Sequence, residues 1–203
     1  MKSSAAEIVP ILGTSMGGGF YAGRILIDNV VYALIAAPKA EGEKDASEWI
    51  AKYKDVPGAK SYFDGLANTK AMAEAKSKLA IWTQALRIGG HDDWYLPAQD
   101  ELEIIYRNLK PTTEQNSQYH RSGINLSSFD PTYPYTPDLP AQTLAEAFQA
   151  GGEQAFEADW YWSSTQLASG SDYAWFQIFD GGNQSSGTKG IKLRARAVRR
   201  LAI

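Results

Sequence analysis

The hydrophobic period changes twice along this chain, and that limits the folds open to it more than any other feature. Residues 20–27 and 30–36 are apolar, β-rich runs separated by Asp28-Asn29, two residues that tolerate positive φ. They spell a hairpin, which Pro38 ends. From Asn68 the apolar residues recur every three or four positions. Met72, Ala75, Leu79, Trp82 and Leu86 share one helical face, with Asn68 or Thr69 as N-cap and Gly89-Gly90 as stop. A second helix follows Pro97, with Leu102, Ile105, Tyr106 and Leu109 as its stripe, Asp100 and Glu101 in its first turn and Pro111 closing it. A short helix is expected at 143–150. Strands return at 160–165, 173–179 and 191–198, the last two joined by a turn through Asp180-Gly181-Gly182. Helices grouped between strand segments, not alternating with them, predict an α+β fold.

The 203 residues fit one domain over 20–203, and a core of that size needs no staple. The first 19 residues, glycine-rich at Gly17-Gly18-Gly19, are expected as a flexible lead or linker. They lack the Lys-Ser/Thr end of a phosphate-binding loop. Residues 111–140, rich in Pro, Ser, Tyr and Asn, read as a long loop insertion, and a loop of that length in a compact domain is usually functional.

Composition removes several chemistries. The chain has no Cys, which excludes disulfides, thiolate metal sites and cysteine nucleophiles. A net charge of −3 argues against a general nucleic-acid binder, which displaces counterions with a basic surface. Lys189, Lys192, Arg194, Arg196, Arg199 and Arg200 crowd the C-terminal segment, where an ion-paired or solvated strand is the simpler expectation. Glu7 and Pro10 interrupt the opening apolar stretch, so no signal peptide is expected and synthesis in the bacterial cytoplasm is. No run approaches the roughly 18 apolar residues of a membrane helix, so no membrane insertion is expected.

Asp93-Trp94-Tyr95-Leu96-Pro97 followed by Asp100-Glu101-Leu102 resembles the W-x-L-P-x-x-x-E-L element of the Lcl carboxy-terminal domain family. Tyr161-Trp162-Ser163-Ser164-Thr165 resembles its Y-W-S-S-T element. Tyr173-Ala174-Trp175-Phe176, Asp180-Gly181 and Arg194-Ala195-Arg196-Ala197-Val198-Arg199 resemble its later ones. The set runs in order over about residues 80–200. The resemblance implies a C-type-lectin-like fold in which the two chain ends pair in one sheet, setting 20–27 near 191–198. It makes Trp94, Trp160 and Trp162 core aromatics. Ala98 departs from the Ser or Thr frequent in the family, which moves the helix cap to backbone or water at a cost of about 1 kcal/mol.

Catalysis has little to work with. His91, in His91-Asp92-Asp93, and His120 lack a second His at helical spacing, and no G-x-S-x-G elbow occurs. The cysteine of the related formylglycine-generating enzymes is missing, as are the lectin triplets Glu-Pro-Asn and Trp-Asn-Asp. No cofactor, metal or catalytic residue is therefore assigned. Binding is the better reading, with an enzyme built on His91-Asp92-Asp93 as an alternative.

Strand parity offers a face. Tyr173, Trp175, Gln177 and Phe179 alternate with Ala174, Phe176 and Ile178, and both sets are mainly apolar. One arrangement buries both; the other turns Trp175 and Phe179 inward and Phe176 and Ile178 outward. The second is adopted, giving a ligand-binding set of Gln166, Ser169, Ser171, Tyr173, Phe176, Ile178, Asn183 and Ser185. Should the strand be buried on both faces, the surface is to be sought first in the 111–140 loop with Tyr119, Phe129, Tyr133 and Tyr135.

The resemblance implies known relatives among adhesins, phage tail and virion proteins, and variable proteins of diversity-generating retroelements. The expectation is a phage or prophage virion protein, a tail, fibre or baseplate adhesin that binds a host-surface glycan or protein. It would contact other virion proteins and form a homo-oligomer, with a trimer as one form. A structural decoration or baseplate module is the rival.

Overall fold

A computed structural model describes residues 9–51, 53–117 and 123–203. The expected hairpin is present as β2 (Gly19–Ile27) and β3 (Val30–Ala36), preceded by the two-residue β1 (Ser15–Met16). Asp28 and Asn29 take φ of 50° and 63°, the left-handed pair that a tight hairpin needs. A one-turn helix α1 (Lys39–Gly42) leads into β4 (Glu43–Glu48). Three helices follow: α2 (Gly65–Glu74), α3 (Lys78–Gln84) and α4 (Gln99–Leu109). The C-terminal strands are β5 (Trp160–Gln166), β6 (Tyr173–Ile178), β7 (Gln184–Thr188), β8 (Lys192–Arg196) and β9 (Val198–Ala202). The fold is α+β, with N-terminal strands and C-terminal antiparallel strands.

Two sheets form, one in the order β1-β2-β3-β9 and one in the order β4-β8-β5-β6-β7. The chain ends share a sheet, but not through the expected residues. The run 191–198 divides at Ala197, whose N–H donates to the Gly42 carbonyl and whose carbonyl accepts from the Ala37 N–H. Beyond that crossing the chain leaves the second sheet and enters the first as β9, paired with β3 rather than β2.

The long helix expected from Asn68 is two helices. Lys76, at φ 74°, ends the first, and Ser77 begins the second by accepting from the Ala80 N–H. The first is capped by Asp64 through the Ala67 N–H, not by Asn68 or Thr69. The apolar stripe still holds, because Met72 and Leu79 bury in the same core from consecutive helices. The short helix expected at 143–150 is a 3-10 turn at Glu146–Phe148. Two strands that the sequence reading passed over, β4 and β7, are sheet edges with the polar sequences EKDASE and QSSGT. An edge strand needs no apolar period and is commonly polar.

The glycine-rich stretch is ordered structure in its described part. Gly17 and Gly18, at φ 55° and 81°, turn β1 back onto β2, and the Arg199 side chain donates to the Gly17 carbonyl. Residues 1–8 of the expected lead lie outside the described residues.

One core cluster lies between the first sheet and α4 and reaches Tyr161 and Phe179; a second joins α2 and α3 to the outer face of the second sheet. Trp94 and Trp162 are 1% and 0% exposed, as the family elements implied, and the Trp162 indole N–H donates to the Ser47 carbonyl at 2.9 Å. Trp160 departs from that expectation at 41% exposed, because the first residue of β5 stands at the open end of the strand. Replacing Trp94 or Trp162 by Ala is expected to cost about 3–5 kcal/mol in denaturant unfolding. An unchanged unfolding midpoint would remove that residue from the core.

Candidate functional site

The face assigned from strand parity is not a surface. β6 has β5 on one side and β7 on the other. Phe176 is 4% exposed, stacked on Trp160 and edge-on to Trp162, within the second core cluster. Ile178 is half-buried against that cluster. Trp175 and Phe179 are also buried, as expected for the inward set. Both faces are therefore covered, the outer one by the α2–α3 core and the inner one by α4 and the first core. Apolar residues on both parities signalled this arrangement equally well, and the outward assignment of Phe176 is corrected by it.

The rest of the set scatters. Gln166 is a buried structural amide: it accepts from the Val56 N–H and Lys189 Nζ and donates to Asp55 Oδ1. Ser169, Ser171 and Tyr173 are exposed around the β5–β6 turn. Asn183 and Ser185 are half-buried at the far end of β6, where the Asn183 carbonyl accepts from Ile178. At roughly 3.3 Å per residue, Ser185, opposite Phe176, stands about 10 Å from Tyr173 along the sheet, and Asn183 farther.

The 111–140 segment presents a different picture, built on α4. That helix carries Glu103, Arg107 and Lys110 toward the segment, and each is used to hold it. Glu103 is 3% exposed; its Oε1 accepts from the Tyr135 hydroxyl at 2.6 Å and from Arg107, and its Oε2 accepts from Asn125 Nδ2 at 2.7 Å. Arg107 also donates to the Gly123 carbonyl. Asn125 Nδ2 reaches the Asp100 carbonyl, while its Oδ1 caps the Ser127 and Ser128 N–H groups. Asn116 accepts from the Tyr106 hydroxyl and donates to the Pro137 and Pro140 carbonyls. Lys110 Nζ donates to the Glu114 and Pro140 carbonyls. On the β2 side, Leu26 N–H donates to the Ser127 carbonyl and Arg24 pairs with Asp130.

Held inward by these bonds, the described part of the segment turns several apolar side chains outward. Leu126 is 86% exposed, and Ile124, Phe129, Tyr133 and Leu139 are exposed as well. Arg24 and Arg107 lie over the Phe129 and Tyr133 rings at 4.7 and 4.6 Å. Leu126 and Ser127 meet Tyr62 and Phe63 around an open cavity of about 510 Å³ floored by Asp100, whose Oδ2 accepts from the Ser127 hydroxyl. Of the fallback residues, Phe129 and Tyr133 are thus at the surface, Tyr135 is 2% exposed and structural, and Tyr119 lies outside the described residues, as does His120.

The N-terminus of α4 positions this surface. Ala98 supplies no cap. Instead Gln99 N–H donates to Thr165 Oγ1, Asp100 N–H to the Tyr62 carbonyl, and Ala98 N–H to Glu101 Oε2 at 2.7 Å. Glu101 is fully buried, accepts also from Gly65 N–H and the Tyr95 hydroxyl, and faces Arg200 and Asp64. Burial raises its carboxyl to about 7, against the pull of those donors.

The remaining candidates are engaged elsewhere. Asp93 forms a two-point pair with Arg199, whose hydrogen bonds hold its carboxyl below the usual range. The basic C-terminal segment is largely paired: Arg194 contacts Glu43, Asp45 and Asp159; Arg200 contacts Asp64; buried Arg196 donates to the Ala37 and Gln154 carbonyls. Among the described residues no group of three or more His, Asp or Glu is placed to hold a metal, and no helix is long and apolar enough to cross a membrane.

Residues 47–199 match the family model described as the Lcl C-terminal domain. No curated protein matches the chain.

Two measurements follow from this geometry. Changing Phe176 and Ile178 together to Ser is expected to cost roughly 3 kcal/mol or more, since a core ring is lost; a double variant as stable as the parent would restore the outward face. Glu101 gives a pH dependence. Its folded carboxyl lies above its ordinary value of 4.5, so its contribution to stability is fully present below about pH 4.5 and is lost as pH rises through about 7. Unfolding free energies from pH 4.5 to 7.5 should therefore fall for the parent relative to Glu101→Gln, which does not titrate. A pH-independent difference would contradict it.

Proposed function

This chain belongs to the Lcl C-terminal domain family, and we propose that it is a ligand-binding protein whose recognition surface is the pinned segment 123–140 with Tyr62 and Phe63. One observation carries the proposal: buried hydrogen bonds hold this segment inward while Leu126 and its apolar neighbours face water. A loop that only connected elements would have no reason to expose such side chains on a fixed frame. Exposed apolar patches on ordered backbone mark interaction sites, and a preformed surface loses less entropy on binding.

In finer terms we read the protein as a phage or prophage virion component, an adhesin of a tail, fibre or baseplate that recognises a host-surface glycan or protein. The family's resemblance to adhesins and virion proteins supports this, and a homo-oligomeric assembly with other virion proteins belongs to the same reading. Binding without turnover is proposed. The enzyme alternative rests on His91-Asp92-Asp93, where the Asp93 carboxylate is paired with Arg199.

Leu126→Ser combined with Phe63→Ser tests the surface. Both side chains are exposed, so stability should move by no more than about 0.5 kcal/mol for each change. Binding to host cells should weaken at least about tenfold, because central apolar anchors carry most of a contact's energy. A variant that binds cells like the parent but no longer joins particles would favour the structural virion module.

A further inference from the structure

We propose that Lys189 and Gln166 join in an intramolecular isopeptide bond, formed by the chain itself with Asp55 as the acid–base group. Gln166 ends β5 and Lys189 follows β7, so the two stand on either side of the first residues of β6. Backbone bonds fix both. Gln166 N–H donates to the Ala59 carbonyl and Lys189 N–H to the Asp172 carbonyl, while the Lys189 carbonyl accepts from the Trp49 N–H. Both side chains are buried, with Lys189 0% and Gln166 1% exposed.

Their reactive ends meet. Lys189 Nζ donates to Gln166 Oε1 at 2.5 Å and to the Lys54 carbonyl at 2.7 Å, beside the Trp49 ring. A nitrogen that close to a carbonyl oxygen stands roughly 3–3.5 Å from the carbonyl carbon, the reach of a near-attack arrangement. Gln166 Oε1 also accepts from the Val56 N–H at 2.7 Å, a fixed donor for the charge that gathers on that oxygen when the carbon is attacked. Gln166 Nε2, the leaving nitrogen, donates to Asp55 Oδ1 at 2.6 Å. Nucleophile, oxyanion donor and proton carrier thus surround one amide. Lys110, the other buried lysine among the described residues, donates to the Glu114 and Pro140 carbonyls and to no carboxamide.

The amine is suited to the attack. Burial pushes Lys189 down to about 8; Asp55 and Asp172 pull against this, and Lys60 adds to it. The neutral amine attacks Cδ of Gln166, forming the Nζ–Cδ bond and moving the carbonyl electrons onto Oε1. Asp55 takes a proton released from Nζ and hands one to Nε2. As the carbonyl re-forms, the Cδ–Nε2 bond breaks and ammonia leaves past Asp55, whose side chain is half exposed. An amine and an amide become a new amide and ammonia, so the step needs no oxidant, cofactor or second substrate. The bond closes β5, β6 and β7 into a covalent ring. It is independent of the loop surface and of whatever ligand that surface takes.

Intact-mass spectrometry of the full chain, after incubation at pH 8, tests the proposal. The parent should be lighter than its sequence by one ammonia. Chymotrypsin cuts between the two residues at Tyr173 and Phe176, and should release their fragments still joined. That branched fragment distinguishes the bond from an asparagine that has lost ammonia within its own backbone. Lys189→Met, which keeps the apolar stem and lacks the amine, should hold its sequence mass. Asp55→Asn, at a half-exposed position, should form the bond at least roughly tenfold more slowly than the parent. If Lys189→Met fails to fold, the parent's branched fragment and Asp55→Asn decide. A parent that keeps its sequence mass after prolonged incubation, or chymotryptic fragments that separate, overturns the proposal. A bond that forms as fast in Asp55→Asn overturns the role given to Asp55.

Discussion

Three donors converge on the buried carboxylate of Glu101, and three separate parts of the chain depend on them. Ala98 N–H belongs to the start of α4, Gly65 N–H to the start of α2, and the Tyr95 hydroxyl to the segment that bridges to Val198 of β9. One side chain therefore accepts from the first turns of two helices and ties them to the sheet that joins the chain ends. Gly65 has no room for a side chain here, since a Cβ would stand 2.3 Å from the Glu101 carboxylate. The arrangement is costly in isolation, because burial opposes the charge that the donors favour. It persists because removing the carboxylate would leave buried N–H groups with no acceptor.

With its N-terminus held this way, α4 becomes the base for the exposed apolar side chains of residues 123–140. Its inner side packs on β2 within the first core, and its polar residues Glu103, Arg107 and Lys110 reach the 111–140 segment. Polar bonds and the buried Tyr135 ring hold the described parts of this segment, while Ile124, Leu126, Phe129 and Tyr133 face outward. The same economy governs the C-terminal basic residues, most of which meet a carboxylate or a backbone carbonyl and so do not form a cationic surface.

Much of the architecture was legible from periodicity. The β2–β3 hairpin, the α4 stripe and the strand character of β5 and β6 follow from spacing alone, and Trp94 and Trp162 in the family elements are core residues as their setting implied. Most illegible parts share a physical reason: their signals are carried by their partners and not by a period of their own. β4 and β7 are polar edges, defined by the strands they pair with. The break at Lys76-Ser77 differs, since its signal is local, a capping Ser, but sits inside an otherwise continuous stripe. Thr165 and Tyr62 cap α4 from 66 and 38 residues away from the N–H groups they accept, at Gln99 and Asp100 respectively.

The candidate site shows the division most clearly. The sequence by itself determined the alternation of β6, which is a property of backbone geometry, and so which side chains share a face. Whether the Phe176 face met water depended on what the helices and β5 laid against it, and tertiary packing buried it under Trp160 and Trp162. It likewise decided that Trp160, an aromatic like its buried neighbour, stays open to solvent. Parity is local and can be read from residue order; exposure is a sum over contacts between distant segments, and only the assembled fold sets it.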